Sequence, residues 1–223
     1  MSLTASMSNS EGSVRRQGLG EEILNAISHG LGALLSIAGL VLLVVRASRS
    51  GSAINVVSVA LFGASMIVLY LVSCLYHALA ECKGKRVFQV LDHCSIFFLI
   101  LGTYIPICLV NIGGALGWVV FGVNAACAVV GIVLNAVNMK RWKKLSMVLY
   151  VVMGWMCLIA LPSIYRSLNT MGFVFLVLGG LCYTVGILFY RQKEKRYRHG
   201  IWHFFVLAGT IFQFFTVYTN CCF

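Results

Sequence analysis

The chain has 223 residues, of which 60% are hydrophobic and only 10% charged, and its formal net charge is +11. Soluble domains carry about 25% charged residues, so this composition excludes an ordinary soluble protein. The mean hydropathy of +0.93 is typical of a chain whose surroundings are largely lipid. The length suits one compact helical bundle.

Residues 1–22 are polar, rich in serine and glycine, and lack the apolar core of a cleavable signal peptide, so we expect a flexible cytoplasmic tail. Residues 23–220 contain seven apolar segments, at approximately 23–45, 53–79, 88–110, 115–137, 145–165, 171–190 and 199–220. Each is close to the ~20 residues that cross a hydrocarbon core of ~30 Å. None has the short alternating pattern of a β-barrel strand. The predicted fold is therefore all-α, a polytopic membrane protein with a seven-transmembrane helix bundle.

Lysine and arginine residues are divided unequally between the two ends of these segments. Fourteen lie on the N-terminal side: two in the tail, three in the second loop, four in the fourth and five in the sixth. Three lie on the opposite side: Arg46, Arg49 and Arg166. The positive-inside rule then predicts a cytoplasmic N-terminus and a C-terminus outside the cell. Anionic lipid headgroups account for this basic rim, and we predict no nucleic-acid partner.

All histidines fall in one slice of the predicted bundle, near its cytoplasmic face: His29, His77, His93, His199 and His203. Asp92, the only acidic residue inside a predicted span, lies at the same depth. At a rise of ~1.5 Å per residue, each lies within about two turns of that boundary. Ionisable side chains near lipid cost free energy unless they have partners, so a shared depth on four helices indicates a common site.

Metal binding is the chemistry that best explains this arrangement. His199 and His203 are four residues apart and share one helix face, and His77 can supply a third imidazole from the second helix. Three protein ligands leave the fourth position of zinc for water, whose pKa zinc lowers to about 7. Asp92 could accept the proton of that water. Ser73, four residues before His77, could hydrogen-bond at the site or stabilise an oxyanion.

Simpler interpretations remain open for each of these residues. The histidines could bind headgroups or backbone at the membrane interface. Ser73 could donate to the carbonyl four residues earlier on its own helix. His93 points roughly 100° away from Asp92 on the helix, which favours a packing or interface role. His29 could bind zinc directly, support a ligand from behind or bond across to the seventh helix.

Glycine and proline predict how the helices pack and end. The following glycines are expected to allow close helix contacts: Gly63, Gly102, Gly154, Gly179, Gly180 and Gly209. Pro106 and Pro162 are expected to kink or end the third and fifth predicted helices near the outer face.

Four stretches together resemble the hemolysin III branch of the progestin and adipoQ receptor family. They are EEILNAISHGLGA at 21–33, SCLYHAL at 73–79, FQVLDHCSIFFLILGTYIP at 88–106 and HGIWHFFVLAG at 199–209. The second contains the S-x-x-x-H element of that family and the last its H-x-x-x-H element. They occur in the order of the family and cover nearly all of residues 20–220. Adiponectin receptors belong to the same larger group and also have a cytoplasmic N-terminus.

The resemblance implies a zinc site in which His77, His199 and His203 are the ligands. It implies further that Asp92 contacts zinc through water and that Ser73 lies close by. Because the family is grouped with alkaline ceramidases as zinc-dependent lipid amidases, the implied substrates are membrane lipids. The branch is also linked to membrane-lipid homeostasis, and its name reports lysis attributed to some members.

Several other seven-helix functions conflict with the sequence. A retinal protein needs a lysine in its seventh helix, and residues 199–220 contain none. A G-protein-coupled receptor has its N-terminus outside, whereas the loop charges here predict a cytoplasmic N-terminus. A channel usually carries ionisable groups at mid-membrane, whereas the ionisable residues here stop near the cytoplasmic face. The leading expectation is a zinc-dependent lipid amide or ester hydrolase of the plasma membrane. The alternatives are a cytolytic membrane protein, or a non-enzymatic membrane sensor or receptor with a structural zinc.

Overall fold

The computed structural model describes residues 15, 17–192 and 194–221, so most of the predicted tail, 1–14 and 16, lies outside the described residues. The described part is all-helical and contains no strand. Its α-helices are α1 (Leu19–Ser48), α2 (Ala53–Ala78), α3 (Lys83–Pro106), α4 (Gly114–Trp155), α5 (Leu161–Ser167), α6 (Thr170–Tyr190) and α7 (Arg198–Asn220). Because α1 begins at Leu19, Glu21 and Glu22 are helical rather than part of the tail.

Within the described residues, six helices are long and apolar enough to cross a membrane. The predicted segments 115–137 and 145–165 both fall in one 54-residue helical stretch, Gly114–Ser167. Inside α4, the backbone leaves helical geometry at Asn138, where φ is −160° and ψ is 83°. The all-α prediction is confirmed, and six apolar helices stand where the sequence predicted seven separate segments.

Both prolines lie where the helical geometry changes. Pro106 is the last residue of α3, and a π-helical turn, Ile107–Ile112, carries the chain to Gly113. A 3-10 turn, Met156–Ala160, precedes α5, whose first turn contains Pro162. Proline lacks an N–H group and is tolerated in a first turn, where that donor has no helical partner. Residues of the two irregular turns pack against each other in one apolar cluster.

Helix order explains how distant residues meet. α1 packs on α2, α2 on α3 and α3 on α4, while α6 packs on α7, which returns to α1; α6 and α4 barely touch. Glycines permit the tightest of these approaches: a Cβ on Gly209 would lie 2.6 Å from the Tyr183 ring. The expected close contacts are confirmed at Gly63, Gly102, Gly179 and Gly209. The expectation was wrong for Gly154 and Gly180, where a Cβ would meet nothing within 4 Å.

Candidate metal centre

Three histidines meet where α2 ends and α7 begins. His77 lies in the last turn of α2, and His199 and His203 lie in the first turns of α7. Each offers a ligand nitrogen, these nitrogens all lie within 4.8 Å of one another, and all three residues are buried. Among the histidine, cysteine and acidic side chains of the described residues, this is the one group that could hold a metal ion.

The spacing of the two α7 nitrogens suits a zinc ion. His199 Nε2 and His203 Nε2 are 3.2 Å apart. With Zn–N bonds of about 2.0–2.1 Å, two ligands of a tetrahedral site have nitrogens roughly 3.3 Å apart. A histidine pair at this distance can share either a proton or a metal ion, and the third imidazole within reach favours the metal.

Glu22 fixes the orientation of His77. Its Oε2 lies 2.6 Å from His77 Nδ1, and its Oε1 accepts a hydrogen bond of 3.0 Å from Lys85 Nζ. His77 Nε2 is buried and has no hydrogen-bond partner. A carboxylate on the far nitrogen of a histidine sets its tautomer and strengthens it as a ligand. His77 therefore presents a free Nε2 to the cluster.

Other side chains of α1 support the histidines from behind. Ser28 Oγ lies 3.4 Å from His203 Nδ1, and Asn25 Nδ2 lies 3.5 Å from His77 Nδ1. The Nδ1 side of both histidines thus faces α1. The sequence interpretation missed Glu22 and Asn25. The signal was the spacing of Glu22, Asn25 and His29, which puts three polar residues on one face of α1.

His29 packs on the cluster rather than joining it. Its ring stacks on His203 with centroids 3.6 Å apart, and it meets the Tyr70 ring edge-on at 5.1 Å. Both ring nitrogens of His29 are buried without a hydrogen-bond partner. The sequence interpretation left open a direct zinc role, a supporting role or a bond to the seventh helix. The observed contact with that helix is ring stacking, and His29 is not among the three residues that could hold a metal ion.

Ser73 and Asp92 are both buried at this end of the bundle, with 1% and 7% of their surface exposed. Ser73 Oγ has no hydrogen-bond partner, so it does not donate to its own helix. Asp92 lies outside the histidine group; its Oδ2 is 3.7 Å from His93 Nδ1, which hydrogen-bonds the Gln89 carbonyl. The structure thus gathers the three histidines and leaves the predicted roles of Ser73 and Asp92 as predictions.

A cavity of about 230 Å³ extends from this end of the bundle along α3, α4, α6 and α7. His29, Asp92 and Trp202 line one end, and Ile107 and Phe173 line the other. Most of the wall between them consists of leucine, isoleucine, valine and aromatic side chains. His77, His199 and His203 do not line the cavity themselves, but His29 and Trp202 of its wall contact His203. Such a space suits a hydrocarbon chain.

Residues 17–214 match the family described as Haemolysin-III related. The chain is 41% identical over 197 residues to Hemolysin-3 of Bacillus cereus, which covers 88% of this chain and 90% of that protein. It is 44% identical over 201 residues to the Hemolysin-3 homolog of Bacillus subtilis (strain 168), a match that covers 90% of this chain and 94% of that protein. The human Monocyte to macrophage differentiation factor is 23% identical to this chain over 168 residues, a match that covers 71% of this chain and 68% of that protein. No solved structure matches. This chain belongs to the haemolysin-III-related family.

Proposed function

We propose that this protein binds one zinc ion through His77, His199 and His203 and hydrolyses an amide or ester bond of a membrane lipid beside it. The buried three-histidine cluster, in which His203 contacts His29 and Trp202 on the wall of an apolar cavity, is the observation that carries the proposal. A donor set made only of imidazole nitrogen suits zinc far better than magnesium or calcium, which prefer oxygen. Three protein ligands also leave a fourth position open, as in catalytic zinc sites.

The reaction needs a proton acceptor and a donor for the developing oxyanion. A zinc ion held by the histidines would supply Lewis acidity and would lower the pKa of bound water to about 7. Asp92, on the wall of the cavity, accepts the proton of the attacking water. Ser73, whose buried hydroxyl has no partner, donates a hydrogen bond to the oxygen that gains negative charge. Glu22 keeps the His77 ring in its ligand orientation.

The cavity binds the lipid and keeps bulk water away from the reacting bond. Its apolar wall holds the acyl chain of the lipid, and the amide or ester group at the end of that chain lies by His29 and Asp92. Exclusion of water strengthens the electrostatic interactions of the site. Because α6 barely touches α4, a lipid can enter between these helices directly from the hydrocarbon region.

The proposed topology has seven crossings, with the N-terminus in the cytoplasm and the histidines near the cytoplasmic face of the plasma membrane. A straight helix of 54 residues would be about 80 Å long, more than twice the ~30 Å hydrocarbon core. The helix-breaking Asn138 precedes four cationic residues, Lys140, Arg141, Lys143 and Lys144. A turn at this point makes two crossings of Gly114–Ser167 and agrees with the unequal division of charge.

The test compares wild type with Asp92→Asn in reconstituted vesicles. Asparagine keeps the shape of the side chain but cannot act as a base, and general-base catalysis contributes typically 10²–10⁴-fold. We expect product formation from a panel of lipid amides and esters to fall on that scale, while bound zinc, measured by elemental analysis, is unchanged. Equal turnover in the two proteins would remove Asp92 from the mechanism.

A cytolytic or sensory role is the second candidate. It is favoured by the names of the two bacterial relatives and by the link from Lys85 through Glu22 to His77, which joins α1, α2 and α3 as a structural metal site would. Dye release from the same vesicles separates these functions. Release by both proteins without any lipid product would favour lysis, and zinc binding with neither signal would favour a sensor.

A further inference from the structure

Glu21, the neighbour of Glu22, joins the start of α1 to the start of α7. Its carboxylate is buried, and Oε1 accepts a hydrogen bond of 2.7 Å from the backbone N–H of Tyr197. Oε2 accepts another of 3.0 Å from the backbone N–H of Gly18, and Arg15 pairs with the same carboxylate. Tyr197 caps α7, which begins at Arg198. A carboxylate at a helix N-terminus is favoured by the helix dipole and by the free N–H groups there.

Tyr197 has a backbone conformation that needs such support. Its φ is +61°, the one positive φ among the described residues other than glycine. A bulky residue in the left-handed region costs free energy and persists only where its surroundings hold it. The bond from Glu21 acts on the amide of this same residue. His199 follows two residues later, so the conformation of Tyr197 sets the direction in which the ligand-bearing turn begins.

We propose that Glu21 is a positioning residue of the metal site. By holding Tyr197, it fixes the first turn of α7 and keeps His199 aligned with His203. This inference rests on the proposed zinc site, although Glu21 acts on the backbone of α7 and not on a ligand. α1 thus controls both ligand-bearing helices through adjacent residues: Glu22 orients the ligand of α2, and Glu21 anchors the turn of α7.

The experiment measures amide hydrogen exchange in the metal-free protein and the rate of zinc loss to a chelator in the loaded protein. Glu21→Ala removes the acceptor, so amide exchange across residues 197–201 should be faster than in wild type. Zinc loss should rise by about 10-fold or more, the scale on which metal affinity falls when groups supporting metal ligands are removed. Glu21→Gln keeps an acceptor oxygen but loses the charge that roughly doubles the strength of the bond, so its effect should be smaller. Glu194→Gln, in the exposed connection before α7, should leave both rates at the wild-type value.

Rescue distinguishes positioning from a general loss of stability. Glycine adopts a positive φ without steric cost, so Tyr197→Gly added to Glu21→Ala should bring zinc loss back toward the wild-type rate. If Glu21→Ala does not yield folded protein, Glu21→Gln with and without Tyr197→Gly gives the same comparison. Zinc loss at the wild-type rate in a folded Glu21 variant would overturn the role of Glu21 and leave the zinc site standing. Wild-type protein that binds no zinc would overturn both.

Discussion

Lys85, Glu22 and His77 form a chain of contacts across three helices. The Lys85 ammonium is 3.0 Å from one oxygen of the Glu22 carboxylate, whose other oxygen is 2.6 Å from His77 Nδ1. Because both oxygens are used, the carboxylate cannot rotate without losing a partner. The His77 ring is therefore held in one orientation before any metal binds, which lowers the entropy that binding would otherwise cost.

Removing the charge of Glu22 should weaken zinc binding. Glu22→Gln retains the size of the side chain but pairs poorly with both Lys85 and the imidazole N–H. Groups that support metal ligands typically contribute 10–100-fold to metal affinity, so we expect a loss on that scale. Competition with a coloured chelator measures it. Glu81→Gln, an exposed glutamate just after α2, is the matched control and should bind zinc like wild type.

Histidines at the same end of the bundle should differ sharply in their effect on metal content. His203→Ala leaves two protein ligands, and a tetrahedral zinc site seldom survives such a loss. We expect the protein to purify with most of its zinc gone. His93→Ala should retain about one zinc per chain, since His93 Nδ1 is bound to a backbone carbonyl and the residue lies outside the cluster. Full zinc occupancy in the triple variant of His77, His199 and His203 would contradict the proposed ligand set.

The histidine cluster could be predicted from the sequence, whereas the partners that Glu22 and Glu21 meet on other helices could not. His199 and His203 are linked by the period of a single helix, which is readable from spacing alone. Glu22 meets His77 across 55 positions of sequence, and Glu21 meets a backbone N–H that no side-chain pattern reveals. Both glutamates were assigned to the tail because residues 1–22 are polar and rich in serine and glycine.

At the scale of elements, Gly154 of α4 and Gly180 of α6 have open space around them where the sequence predicted close helix contacts. Gly180 was expected to pack against a neighbouring helix, but it lines the cavity and leaves open space where a Cβ would stand. α6 instead makes its close contacts with α7, at Gly179 and Gly209. The sequence could not distinguish these glycines, since adjacent positions on one helix face different neighbours.

The open space beside Gly180 allows a test of whether the cavity holds an acyl chain. Gly180→Leu adds four carbons to the wall of the space, so the protein should bind fewer long-chain lipids and hydrolyse them more slowly. Gly122→Leu is the matched control because its Cβ would also meet nothing within 4 Å, yet Gly122 does not line the cavity. Mass spectrometry of retained lipid measures the effect. Equal lipid content in the two variants would mean that the cavity does not hold the acyl chain.

At the scale of the whole molecule, the boundary between the fourth and fifth predicted segments lies inside one helical stretch, Gly114–Ser167. The sequence predicted a loop at the cationic residues after Asn138, but helical geometry resumes at once there. The reason lies in composition: residues 139–144 contain neither glycine nor proline, and lysine and arginine are good helix formers. The seven-crossing arrangement therefore depends on a turn in which one residue, Asn138, departs from helical geometry.

A labelling experiment with a membrane-impermeant maleimide tests this arrangement and its orientation together. Cys82 is exposed in the connection between α2 and α3, on the side assigned to the cytoplasm. With Cys222 replaced by serine, this protein should be labelled in inside-out vesicles but not in intact cells. Adding Lys143→Cys to a Cys82→Ser background should give the same result, because two crossings of Gly114–Ser167 bring residue 143 to the side of Cys82.

The opposite side of the membrane is tested by Ser48→Cys in the same Cys82→Ser background. Residue 48 lies at the exposed end of α1 and should be labelled in intact cells. Labelling of residue 143 from outside would contradict the turn at Asn138, whereas labelling of Cys82 from outside would reverse the orientation and move the histidine cluster to the outer face.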